Sequence, residues 1–289
     1  MYRWFIKKIF EGLTRERESL QIKICDFPRF RYEVRPGDVI LVEGRSRLSE
    51  VIKTITLSRW THSALYIGRI GSIEDEALRE KARKFYPHSD SDPLIIEAII
   101  GEGVIISPLT KYKDDNLRLC RPKYLSPIDA DNVIEYAIGT LGTKYFTRQI
   151  LDIARFMFPY SILPRRWRSS LFETGVGSAA KTICSTMLAE AFASVQYPIL
   201  PELRKDDKGK IVFYKRNSKL IVPRDFDYSP YFDIIKYPFL GDDIDVYKKL
   251  PWDKKGVIYN EEVNFAPGTS PNNEEYLNEV LTEEDLELK

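Results

Sequence analysis

Two histidines and three cysteines in 289 residues leave few candidates for nucleophilic chemistry. His62 stands at the mouth of the apolar run HSALYIG, Cys184 near the start of TICSTMLAEAFASV, and Glu97 inside LIIEAII. A cysteine in the first turn of a helix meets unpaired N–H groups and partial positive charge. Both lower the thiol pKa, and the same N–H groups can hold an oxyanion. A general base is then required, and with imidazole so scarce His62 is the natural candidate. Glu97 interrupts an otherwise apolar strand pattern, where an unpaired carboxylate would be costly. Hydrogen-bonded to the imidazole, it would fix the tautomer. Each residue also has a plainer reading: Cys184 as a small buried hydrophobe, His62 as a satisfied core imidazole, Glu97 as a side chain on a wet strand face.

Residues beside these three complete the candidate site. Trp60 and Thr61, immediately before His62, are expected to line the pocket. Ser185, next to Cys184, is placed to cap the helix or contact substrate, though helix geometry makes it a poor second nucleophile. His88, in FYPHSDSD, reads as a surface loop residue, and Cys25 and Cys120 as packing residues. The cysteines lie at wide, unrelated spacings without a CxxC pair, and two histidines are too few for a zinc site. Neither a metal nor a cofactor is expected.

The elements that must hold these residues follow from local pattern. RYEVRPGDVILVEG gives a Pro-Gly-Asp turn and then a strand over Val39 to Val42. Leu48 to Leu57 has helical apolar spacing with Ser49 as a cap signal. HSALYIG is a strand closed by Gly68, and 71 to 92 an inserted polar helix or loop. PLIIEAIIGEGVIISPL predicts a hairpin from Leu94 to Leu109, NLRLCRP a further strand, and SPIDADNVIEYAIGTLG a serine-capped helix ending at Gly142. RQILDIARFMF reads as a helix, followed by the basic, aromatic PRRWRSS. The helix over 182 to 195, with Thr182 as its cap, carries the strongest helical pattern in the chain. KIVFYKRNSKLIVPRDF then predicts a hairpin and SPYFDIIKYPF a short strand.

The order of these features, His62 then Glu97 then Cys184, resembles the circularly permuted papain-like amidases of the YiiX/YebB-like kind, relatives of the NlpC-type cysteine peptidases. The matching stretches are RPGDVILVEG, TITLSRWTHSALYIG, LIIEAIIGEGVIISPL, AIGTLGTKYF and ICSTMLAEAF with YPILP, together covering roughly residues 35 to 240. The resemblance implies an α+β, circularly permuted papain-like (NlpC-type) core: an antiparallel sheet or barrel packed against the helix that carries the cysteine. It implies Cys184 as nucleophile, His62 as base and Glu97 as orienting acid, with GTKYF lining the site through Tyr145. Relatives often carry Tyr-Asp in that motif, whereas Phe146 stands here in place of the aspartate.

Three functions are carried forward. The first is a cysteine hydrolase that cleaves an amide (peptide or isopeptide) or ester through a Cys184 acyl-enzyme. The second is a lipid-directed acyltransferase or thioesterase at a membrane surface. The third is a non-catalytic binding module that keeps the pocket. The substrate is a small molecule, peptide or lipid; the oligomeric state is left open. A balance of 44 basic to 43 acidic residues gives no global field that argues for nucleic acid. Neither a signal peptide nor a run of roughly 20 apolar residues is apparent, so the expected location is cytoplasmic. WFIKKIF near the N-terminus reads as a helix packed on its own domain or an interfacial one, and PRRWR at 164 to 168 as a solvated loop or a contact for lipid headgroups or an anionic substrate, so a peripheral membrane contact stays open. The expected organisation is an amphipathic extension over 1–30, a catalytic domain over 31–240 with an insertion at about 146–180, and a C-terminal extension over 241–289. The last of these ends in an acidic tail that reads as flexible.

Overall fold

The computed structural model describes residues 25–99, 102–143 and 184–235. The N-terminal segment through residue 24, Tyr145, Thr182, the helix expected within 147–172 and the acidic tail lie outside the described residues.

Six strands form one antiparallel sheet in the order β4-β3-β2-β1-β5-β8. They are β1 (Val39–Glu43), β2 (His62–Gly68), β3 (Leu94–Ile99), β4 (Gly103–Pro108), β5 (Asn116–Pro122) and β8 (Phe232–Ile235). The first five follow the alternating or continuous apolar runs of the sequence. β1 is entered through the Pro-Gly-Asp turn: Gly37 takes φ +88°, a conformation that costs a side-chain-bearing residue, and Asp38 accepts a hydrogen bond from Arg35 N at 2.8 Å.

Both faces of this sheet are covered, which explains why β1 is buried along its whole length. On one face, Val39, Leu41, Leu65, Leu94, Ile96 and Cys120 pack with helices α4 (Pro127–Gly139) and α5 (Cys184–Ser194). On the other, Ile40, Val42, Ala64, Tyr66, Ile95 and Leu119 pack against α1 (Phe27–Glu33) through Phe27 and Phe30. Each aliphatic side chain fully buried in these layers contributes roughly 1.5–3 kcal/mol.

The remaining helices sit at the edges. α2 (Arg47–Thr56) is capped by Ser46, whose Oγ accepts from Ser49 N at 3.1 Å, so the cap lies three residues ahead of the expected Ser49. α3 (Glu76–Phe85) occupies the inserted polar stretch and is capped by Asp75. In α4, Ser126 accepts from Asp129 N and Pro127 starts the helix, which stops at Gly139 rather than Gly142. The expected 210–226 hairpin is different in the structure. Its first strand, β7 (Ile211–Tyr214), pairs backwards with β6 (Glu202–Lys205). The following residues form a short 3-10 turn, Ser218–Leu220, and then α6 (Pro223–Tyr228). Pro223 removes a ladder donor and is well placed at a helix start, which decides between the two outcomes.

Candidate active site

β2 opens at its N-terminal end with His62, and its pairing with β3 sets what stands beside it. Ala64 pairs with Glu97, so Glu97 lies one strand over on the same face as His62. His62 Nε2 and Glu97 Oε2 are 2.7 Å apart. Glu97 is fully buried, not turned to solvent, and takes two more donors: Tyr112 Oη to Oε2 at 2.5 Å and Lys111 Nζ to Oε1 at 2.6 Å. Lys111 and Tyr112 come from a 3-10 turn, Leu109–Tyr112, that follows β4. Burial acts to raise the Glu97 pKa, but the hydrogen bonds and charges of His62 and Lys111 outweigh it and hold the carboxyl below its usual range. The same burial, reinforced by the Glu97 charge, drives the Tyr112 phenol upward and keeps it a donor.

Cys184 is the first described residue of α5 and is half-buried as a residue. Its side chain interacts with the His62 ring. With Nε2 held by Glu97, Nδ1 is the ring nitrogen left for the sulfur. Burial alone would raise the thiol pKa, but the His62 charge and hydrogen bond outweigh it, helped by the hydroxyl and N–H of Ser63. The thiol is lowered. Burial alone would lower the His62 pKa, and the Cys184 thiolate, followed by Glu97, raises it to about 10. The two shifts act in the same direction, toward a thiolate–imidazolium pair beside a carboxylate.

Ser63 was not singled out by sequence reasoning. The β2–β3 ladder begins at Ala64↔Glu97, so Ser63 stands just outside it. Its Oγ is fully buried without a hydrogen bond of normal geometry, as is Thr186 Oγ1 on α5. Residues of this kind give little signal in a single sequence, because a serine in a strand is an ordinary residue until the helix above it is known. Lys111 and Tyr112 were also missed. Their turn brings them back toward Glu97, and its direction is not encoded in a hydrophobic pattern.

Of the other expected site residues, Trp60 is buried against the helix-bearing face, donating Nε1 to Asp227 at 3.1 Å, with the Arg118 guanidinium 4.7 Å from its ring centre. Arg118 in turn meets both Asp227 oxygens at 2.6 Å. Thr61 Oγ1 accepts from Gly44 N at 2.9 Å. A side chain on Gly44 would come within 2.7 Å of that hydroxyl, so glycine keeps this corner closed beside His62. The Ser185 hydroxyl is buried and donates to Ile221 O at 2.6 Å, directed into the core. His88 lies with its ring 4.8 Å from Tyr86, away from this cluster, and Cys25 and Cys120 are buried in the sheet layers. Among the described residues no three His, Cys, Asp or Glu side chains form a further group able to hold a metal.

A family model agrees with the fold. Residues 33–153 match the family model described as permuted papain-like amidase enzyme, YaeF/YiiX, C92 family. The matched span includes His62, Glu97, Lys111 and Tyr112 and ends before Cys184. A solved structure, described as the metalloprotein yiiX from Escherichia coli O157:H7, is similar with a TM-score of 0.41 and 15% identity over 70% of this chain and 97% of its own. No curated protein matches. The chain therefore combines a mixed helix and antiparallel-sheet architecture with a segment that matches the permuted papain-like amidase model.

Proposed function

We propose that the protein is a cysteine hydrolase that cleaves an amide or ester bond through an acyl-enzyme on Cys184. The observation that carries the reading is the 2.7 Å contact of His62 with a fully buried Glu97, with the Cys184 side chain interacting with the same ring. The thiolate attacks the substrate carbonyl carbon and an S–C bond forms, while the carbonyl oxygen becomes an oxyanion. The Cys184 N–H, at the start of the described α5, would donate to that oxygen. The imidazolium of His62 gives its Nδ1 proton to the leaving nitrogen or oxygen as that bond breaks, which leaves a thioester. Neutral His62 then takes a proton from water, whose oxygen attacks the thioester carbon, and the thiolate departs with the acid as product. Glu97 holds Nε2 throughout, and Lys111 and Tyr112 keep the carboxylate charged and fixed.

The same arrangement would serve acyl transfer if an alcohol or amine replaced water in the second step. Hydrolysis is the reading advanced, because it needs no acceptor site. Incubation with an activated aryl ester, followed by intact-mass and peptide analysis, tests it. An acyl adduct on Cys184 that decays in water, absent from Cys184→Ala, is expected. Ester turnover by Cys184→Ala at the parent rate would overturn the assignment.

A further inference from the structure

Downstream of α5 the chain builds a second, two-stranded sheet, β6 with β7, which carries an apolar face that the protein leaves exposed. The register pairs Leu203 with Phe213 and Lys205 with Ile211, placing these four side chains on one face. Leu203, Ile211 and Phe213 are each 57% exposed. A two-stranded hairpin is marginally stable by itself in water. This one gains little from the body, since a cavity of about 630 Å³ lies between it and the C-terminal end of α5. Three exposed large apolar residues on one face are therefore a surface that needs a partner.

Charge identifies the partner. From Glu202 to Lys219 the chain has seven basic residues against three acidic ones. Lys205, Lys208, Lys210 and Lys215 are exposed, and none forms an ion pair with a described side chain. Two of the acids are already engaged: Asp206 accepts the N–H groups of Lys208 and Lys210 in the turn, and Glu202 holds Arg204. Apolar side chains standing among unpaired lysines suit the boundary between lipid headgroups and acyl chains. The hydrophobic groups enter that boundary while the ammonium groups meet phosphates, and the stem of Lys205 can lie along the apolar face.

We propose that the β6–β7 hairpin is a docking surface for an anionic lipid bilayer. The inference does not depend on the hydrolase reading. It is tested by flotation of the full chain with vesicles of phosphatidylcholine alone or with roughly a third phosphatidylglycerol, at low and high salt. The parent is expected to float with the anionic vesicles at low salt, at least about tenfold more than with neutral ones. Ile211→Asp with Phe213→Asp abolishes that binding. Lys208→Gln with Lys210→Gln, which leaves the apolar residues in place, weakens it by about fivefold per lysine. An unchanged alkylation rate at Cys184 shows that each variant is folded. Failure of the parent to float, or flotation of both variants at the parent level, overturns the proposal. So does a parent dimer in light scattering that dissociates in the Asp variant without any lipid binding, which would give the surface to a second copy.

Discussion

Glu97 and Asp38 are both buried carboxylates in the central sheet region, and they use their surroundings in opposite ways. Asp38 receives Arg121 through Nε at 3.0 Å and a terminal nitrogen at 2.8 Å, and Arg35 N at 2.8 Å. Arg121 also donates to Glu33 O at 2.8 Å, so the pair ties α1 to the sheet. Its partner cannot release a proton in any ordinary pH range. Glu97 faces a titratable ring instead, and that ring reaches a thiol. Burial wins at Asp38, whose pKa is raised despite Arg121, whereas at Glu97 the partners win and the pKa is lowered. Similar burial thus yields an arginine-paired strut in one place and a carboxylate paired with a titratable ring in the other. The identity of the partner decides which.

The largest expected effect comes from exchanging the two carboxyls for amides. Glu97→Gln should lower Cys184 acylation roughly 10²–10⁴-fold, since the ring loses its orienting charge. Asp38→Asn should leave the acylation rate and the thiol's pH profile in place and lower stability by about 1–3 kcal/mol. Chemical denaturation and acylation kinetics on the same samples separate the two outcomes. Acid unfolding sharpens the contrast. The lowered pKa of Glu97 contributes stability above its ordinary value of 4.5 that is lost as pH falls through its folded value, so Glu97→Gln should flatten the acid limb of the stability curve. Asp38, with a raised pKa, has the opposite sign: it favours the fold at low pH and loses that contribution as pH rises, so Asp38→Asn should steepen the acid limb. A shift of the thiol profile in Asp38→Asn would erase the distinction between strut and site.

A second, smaller effect is the pH profile of the parent. The His62 pKa is raised, so the thiolate–imidazolium pair persists below about pH 10 and is lost as pH rises through that value. Loss of the proton removes the general acid. Acylation should therefore form a bell, with an alkaline limb near 10 and an acid limb below the thiol's ordinary value of 9, set by Cys184. In Glu97→Gln the alkaline limb should move down, because one of the two charges that raise His62 is gone. An alkaline limb near 6.5 in the parent would mean that the ring is not paired with the sulfur.

The sheet was legible in the sequence because its strands are continuous apolar runs bounded by turn residues, as at PGDVILV and HSALYIG, and a two-sided sheet requires that pattern. The three proposed site residues stand out in the sequence because each breaks the expectation of its own segment: a rare imidazole, a carboxylate among isoleucines and a thiol at the start of a helical pattern. Trp60 and Ser185 show the limit. Adjacency in sequence placed them near the site, yet their polar atoms are spent on Asp227 and Ile221, partners more than 30 residues away. Strand pairing of Ile211–Tyr214 was misjudged because IVPRDF has a strand-like start, and only the proline inside it marks the helix.

The smallest effect probes Ser63, the part of the site that no pattern revealed. Its hydroxyl is buried without a normal hydrogen bond, and hydroxyl and N–H both act to lower the Cys184 thiol pKa. Ser63→Ala removes the hydroxyl and leaves the N–H and the packing, since alanine fits the space of serine. The acid limb of Cys184 alkylation by iodoacetamide should rise by up to about one pH unit, a tenfold loss of thiolate below the limb, while the alkaline limb set by His62 stays near its parent position. Displacement of both limbs together would mean that the substitution has moved the helix and the ring, a structural effect. Displacement of neither would mean that the backbone N–H holds the sulfur without the hydroxyl. Only the first result, one limb moved and one fixed, makes Ser63 part of the machinery that sets the nucleophile, in contrast to the hydroxyl of Ser185, whose bond to the Ile221 carbonyl belongs to the core.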